Sequence, residues 1–131
     1  MSADSRDVSL GVPAQPDYLV LARLALAAVC RLTALRPSEV ADLKLAVTEA
    51  AGEFVGDGDD PGPGGSTDAA PGTGVRIDFA FRLEDERLVC ELSGSGPRIP
   101  AVESELSRAI IEATVDRAEF SSQRTLLVKD L

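Results

Sequence analysis

The sequence predicts an α+β fold: a two-layer α/β sandwich in which three helices cover one face of a mixed, mostly antiparallel sheet. Three observations predict it. Apolar and polar residues alternate in "VRIDFAFR" and "LVCEL", apolar residues recur at helical spacing over 17–35, 38–55 and 101–117, and the segments follow in the order β-α-α-β-β-α-β-β.

Residues 7–12, "DVSLGV", alternate and give a short first strand. Pro13 and Pro16 break it, and Asp17 caps a helix running to Leu35, with Leu21, Leu24, Ala25, Ala28 and Leu32 as its buried stripe. In "RPSEV", Ser38 is the N-cap of a second helix, and Glu39 lies in its first turn, where a carboxylate suits the helix dipole. That helix extends to Phe54 or Val55, with Leu43, Val47, Ala50 and Phe54 inward. Val75, Ile77, Phe79 and Phe81 point inward from the next strand, "LEDER" turns the chain, and Leu88, Cys90 and Leu92 continue the alternation as a hairpin. "SGSGPRIP" is a tight loop, and a third helix repeats apolar residues at Val102, Leu106, Ile110 and Ala113. "AEF", a turn at "SSQ" and "TLLVK" supply the last strands.

A chain of 131 residues with 44% apolar content suits one domain, 1–131, rather than two. Residues 56–74, "GDGDDPGPGGSTDAAPGTG", form a flexible acidic Gly/Pro loop with no cation and no phosphate-cradling lysine. The net charge of −9, from 22 acidic and 13 basic residues without a basic cluster, argues against a nucleic-acid partner. The absence of histidine excludes Ser-His-Asp and Cys-His catalysis and His-containing zinc sites. Cys30 and Cys90 fall in apolar patterns and are expected to be small core residues. The amino terminus lacks the apolar core of a secretion signal, and the run from Tyr18 to Leu35 is broken by Arg23 and Arg31, so no membrane span and a cytoplasmic location are expected.

In "DLKLAVTEAAGEFVG", Glu49 and Glu53 stand on successive turns at one edge of the apolar stripe and repel mildly. They either line a site or form a solvated flank. Gly52 between them costs about 1 kcal/mol relative to alanine and marks either a close approach by another group or fraying.

The same stretch, followed by the hairpin, "GSG" and "AIIEATVDRAEF" before "RTLLVKDL", resembles the bacterial anti-sigma-factor serine/threonine kinases. These are members of the GHKL superfamily, with a histidine-kinase-like ATPase fold. The resemblance implies that Glu49 is the catalytic base or water-orienting residue. Glu53 stands where the family has the asparagine that holds magnesium, and oxygen donors suit that cation. Gly94 and Gly96 match the glycines of the family's Asp-x-Gly-x-Gly nucleotide motif, and Arg98 is the cation near the phosphates. The cofactors implied are ATP and magnesium if the site is active, and none otherwise. The partners implied are a sigma factor or an anti-anti-sigma protein, with pairing of the chain as a symmetric homodimer.

Three departures weigh against nucleotide. Leu92 occupies the position of the adenine-reading aspartate, with Ser93 the sole alternative after a one-residue shift. The mobile lid is missing between Gly96 and Ala101, and Glu103 and Glu105 place negative charge at the start of the third helix. An unmet adenine hydrogen bond costs about 1–3 kcal/mol. The leading expectation is a regulatory protein acting by protein contact through a degenerate ATP site, with a shallow cavity bounded by residues 92–98. The alternatives are an active kinase using Glu49 with Glu53 and Arg98, and a purely architectural resemblance with both glutamates in solvent.

Overall fold

The computed structural model describes residues 6–55, 75–94, 101–121 and 123–131. Strand β1 (Arg6–Pro13) is followed by a 3-10 turn (Pro16–Tyr18), helices α1 (Leu19–Cys30) and α2 (Pro37–Val55), the hairpin β2 (Arg76–Glu84) and β3 (Arg87–Gly94), helix α3 (Ala101–Thr114), and strands β4 (Arg117–Phe120) and β5 (Arg124–Asp130). The sheet order is β1-β2-β3-β5-β4, and every neighbouring pair is antiparallel, in keeping with the mostly antiparallel sheet expected. The acidic loop 56–74 lies outside the described residues.

Strand alternation fixes the two faces of the sheet. Ile77, Phe79, Phe81, Leu88, Cys90, Leu92 and Leu127 form one buried face, packed with the inward residues of all three helices. Val75, expected to begin the inward set, precedes the strand and is exposed. Burial pushes the Cys90 thiol well above its ordinary range and raises Cys30 as well, so both behave as packing atoms rather than nucleophiles.

The helices correct three expectations. In α1 the buried residues are Leu19, Ala22, Leu26, Val29 and Cys30, whereas Leu21, Leu24 and Leu32 are 44%, 62% and 55% exposed. The helix is apolar on both sides, so periodicity alone cannot choose the face that packs. Helix α2 starts at Pro37, a residue that suits the first helical position because its missing N–H is not needed there. Its cap is therefore made at Arg36 rather than Ser38: the Arg36 N–H donates to Glu39 Oε1 at 2.9 Å, the reach-back half of a capping box. In α3, Leu106 is 73% exposed and Ala113 is also exposed, while Ile111 and Val115 are buried. The buried face of α3 is thus displaced by about one residue, or 100°, from the predicted stripe.

Candidate functional site

The displaced register of α3 brings Ser107 and Arg108 against the edge of α2 that carries the two glutamates. Glu53 is 2% exposed, a nearly complete burial for a carboxylate. Arg108 meets it with a two-pronged contact: Nε donates to Oε2 at 3.2 Å and Nη2 to Oε1 at 3.1 Å. This planar match of guanidinium and carboxylate is the geometry in which such pairs are strongest. The other face of the guanidinium lies over the Phe120 ring on β4, 4.4 Å from its centroid, a cation–π contact. Arg108 thus joins α2, α3 and β4 through one side chain.

Glu49, one turn earlier and half-buried, accepts a hydrogen bond from Ser107 Oγ at 3.0 Å, and the same hydroxyl lies 3.2 Å from the Glu49 carbonyl oxygen. Neither glutamate is a solvated flank. Both face α3, and the mutual repulsion of the two acids is offset by the adjacent guanidinium. Gly52 has no described atom within 4 Å of where a Cβ would sit, so it marks no close approach by a described residue.

Leu92 is wholly buried on the core face of β3, opposite Thr125 of β5, itself wholly buried. Ser93 points to the other side of the sheet, where it lines a shallow depression of about 440 Å³ with Ser9, Gly11, Asp78, Ala80 and Glu91. A one-residue shift therefore offers no polar group to the helix side. Gly94 abuts α2: a Cβ there would lie 2.5 Å from Phe54 Cδ1. Gly96, Arg98 and the expected cavity wall formed by 95–98 lie outside the described residues. Among the described residues no group of three or more His, Cys, Asp or Glu side chains converges as a metal site, and no helix is long and apolar enough to cross a membrane.

Sequence reasoning missed Ser107, Arg108, Phe120 and Thr125. One signal was present: two acids on successive turns call for a cation on the neighbouring helix, and Arg108 is the one basic residue in "AVESELSRAIIEAT".

The chain has counterparts among known proteins. Its fold is similar to the crystal structure of the RsbU and RsbW domains of Rv1364c from Mycobacterium tuberculosis, with a TM-score of 0.60 at 16% identity, covering 95% of this chain and 32% of that one. At that identity the likeness is one of fold, and the chain spans about a third of its counterpart. No curated protein matches at a significant level. Residues 12–126, from the end of β1 into β5, match the family described as the histidine kinase-like ATPase domain. A match of that extent, over elements that bring a glutamate-bearing α2 beside the β3 end and α3, makes this chain a member of the histidine kinase-like ATPase domain family.

Proposed function

We propose that the protein is a regulator of the anti-sigma type, which acts by contact with a sigma factor or an anti-anti-sigma protein while its nucleotide pocket is closed by its own side chains. One observation carries the reading: Arg108 holds buried Glu53, the residue at the magnesium-binding position, at 3.1 Å and 3.2 Å. A carboxylate whose two oxygens face a guanidinium is a poor ligand for a divalent cation, because the metal must first displace a charge-assisted pair. Ser107 engages Glu49, and Leu92 puts buried hydrocarbon where the adenine amino group needs an acceptor. The residues present do not fit ATP and magnesium, and no phosphoryl-transfer step is assigned to them. The RsbW domain in the structural counterpart supports the regulatory half of the reading by likeness of fold.

Titration with a fluorescent ATP analogue and magnesium tests the closed pocket. We expect no binding up to millimolar nucleotide, and binding in the micromolar range would overturn it. A kinase would also phosphorylate an anti-anti-sigma partner and lose that activity in Glu49→Gln. The regulatory half is tested by transcription from a promoter dependent on the bound sigma factor, which the protein should repress without added ATP.

A further inference from the structure

The sheet ends in two unlike edges, β4 and β1. Strand β4 has four residues, and a short edge strand is one of the ways in which a sheet is kept from pairing with another chain. Strand β1 has eight residues and no lysine, and its one proline stands at the very end. Its free backbone groups follow from the register. The Ala14 N–H donates to the Val75 carbonyl at 2.9 Å, and these two residues continue the pairing of Pro13 with Arg76 by one step. In an antiparallel pair, residues that exchange hydrogen bonds alternate with residues that do not. Val8, Leu10 and Val12 therefore bond to β2, whereas Asp7, Ser9 and Gly11 turn their N–H and C=O groups away from it. Among the described residues nothing pairs with that row.

The side chains beside this row select the partner. On the helix side Val8 is 39% exposed and Leu10 is half-buried, so an added strand would cover apolar surface there. On the helix-free side the edge is acidic. Asp7 is exposed, and so is Asp78, which stands opposite Gly11 on β2. Because Gly11 has no side chain, Asp78 reaches across it towards the edge: a Cβ at Gly11 would lie 2.5 Å from Asp78 Oδ1, with Arg76 leaning over the same spot. Neither acid makes an ion pair with a described residue. A cation arriving beside Gly11 would leave Asp78 between two basic groups, the arrangement that Glu91 already has between Arg82 and Arg124.

We infer that the free edge of β1 binds an extended segment of a basic partner protein, added antiparallel as a further strand. Strand addition draws affinity from main-chain hydrogen bonds and specificity from alternate side chains. The segment reads basic, apolar, small, apolar, basic. Its basic residues stand opposite Asp7 and Gly11, its apolar ones opposite Val8 and Leu10, and the small one opposite Ser9. The chain's net charge of −9 favours the encounter. A second copy of β1 fits worse: centred on Ser9, it would set each Asp7 beside the second copy's Gly11, over which Asp78 leans, and so face acid with acid twice. The edge belongs to β1 and β2, whereas the nucleotide pocket is built on α2, β3 and α3, and closure of that pocket has no bearing on strand addition.

Fluorescence anisotropy of a labelled peptide, Gly-Lys-Val-Thr-Val-Lys-Gly, titrated with the full chain tests it. Half-saturation is expected below about 1 mM. N-methylation of the peptide backbone at the lysines and threonine, whose N–H groups meet β1, should abolish binding, and N-methylation at the two valines should leave it intact. Asp78→Lys should weaken binding about tenfold, and a peptide with glutamate in place of both lysines should prefer the double variant Asp7→Lys, Asp78→Lys to the wild type. Ser9→Pro should also weaken binding about tenfold, because it removes one N–H from the free edge and spares the ladder to β2. The charge variants keep the test informative even if Ser9→Pro disturbs folding. A peptide that fails to bind below about 1 mM, equal loss from both N-methylation patterns, or indifference to the lysines would each overturn the proposal. So would a wild-type dimer that Ser9→Pro dissociates, which would give the edge to a second copy.

Discussion

Arg108→Ala would remove the guanidinium facing a carboxylate that is 2% exposed. Deleting one partner of a buried pair costs about 3–5 kcal/mol, and because the Arg108 side chain is 30% exposed, the lower end, about 3 kcal/mol, is the expected loss. Urea unfolding with an unchanged slope would read it as a shift in midpoint. Glu53→Leu combined with Arg108→Met should recover most of that loss, since apolar replacement of both charges is close to neutral. Additive effects of the two changes would show that the pair contributes no coupling. Arg108→Lys should fall in between, because an ammonium cannot make the forked contact or lie flat on Phe120. Gly52→Ala runs the other way. With no described atom within 4 Å of its Cβ position, alanine should raise stability by about 0.5–1 kcal/mol, seen as a higher midpoint in the same experiment.

The elements differ in how far their residues announced them. The hairpin was legible because a strand has two faces and a period of two, which leaves a single way to bury Ile77, Phe79, Phe81, Leu88, Cys90 and Leu92. The existence and order of the helices were legible from proline and from the onset of apolar spacing, but their ends were less so: Asp17 falls in a 3-10 turn rather than capping α1, α1 stops at Cys30 rather than Leu35, α3 stops at Thr114, and Pro37 moves the cap of α2 back to Arg36. Helix faces were not. Both sides of α1 are apolar, so its packed side is set by the sheet rather than by its own pattern. In α3, a pattern drawn through Leu106, Ile110 and Ala113 gave way to one through Ser107, Arg108, Ile111 and Val115. A guanidinium with a buried carboxylate to meet can face inward, and hydrophobic periodicity takes no account of such a pair. The candidate site was accordingly half visible. Glu49, Glu53 and Leu92 could be marked from spacing and resemblance, whereas the residues that engage the glutamates lie more than fifty positions away in the chain.

Across the molecule, the helix-free side of the sheet is held by charge where the other side is held by apolar packing. Glu91 on β3 accepts from Arg82 of β2 at 3.0 Å and from Arg124 of β5 at 3.1 Å, so one carboxylate ties three adjacent strands. The hydrogen bond from Arg82 first, and that from Arg124 after it, hold the Glu91 carboxyl below its ordinary range. A carboxyl lowered by folding contributes stability that is fully present above its unfolded value, about 4.3, and is lost as pH falls through the lower folded value. The side chain is 24% exposed and its partners more so, which limits the contribution to about 1 kcal/mol. Glu91→Gln should therefore unfold more easily than the wild type by up to about 1 kcal/mol at neutral pH, and the gap should close as pH drops below about 4. The comparison has to be made against the variant at each pH, because protonating the other acids of a chain with net charge −9 relieves repulsion over the same range. A gap that stays constant into acid would mean that Glu91 acts through packing, and that the two arginines contribute no pH-dependent hold on the open face of the sheet.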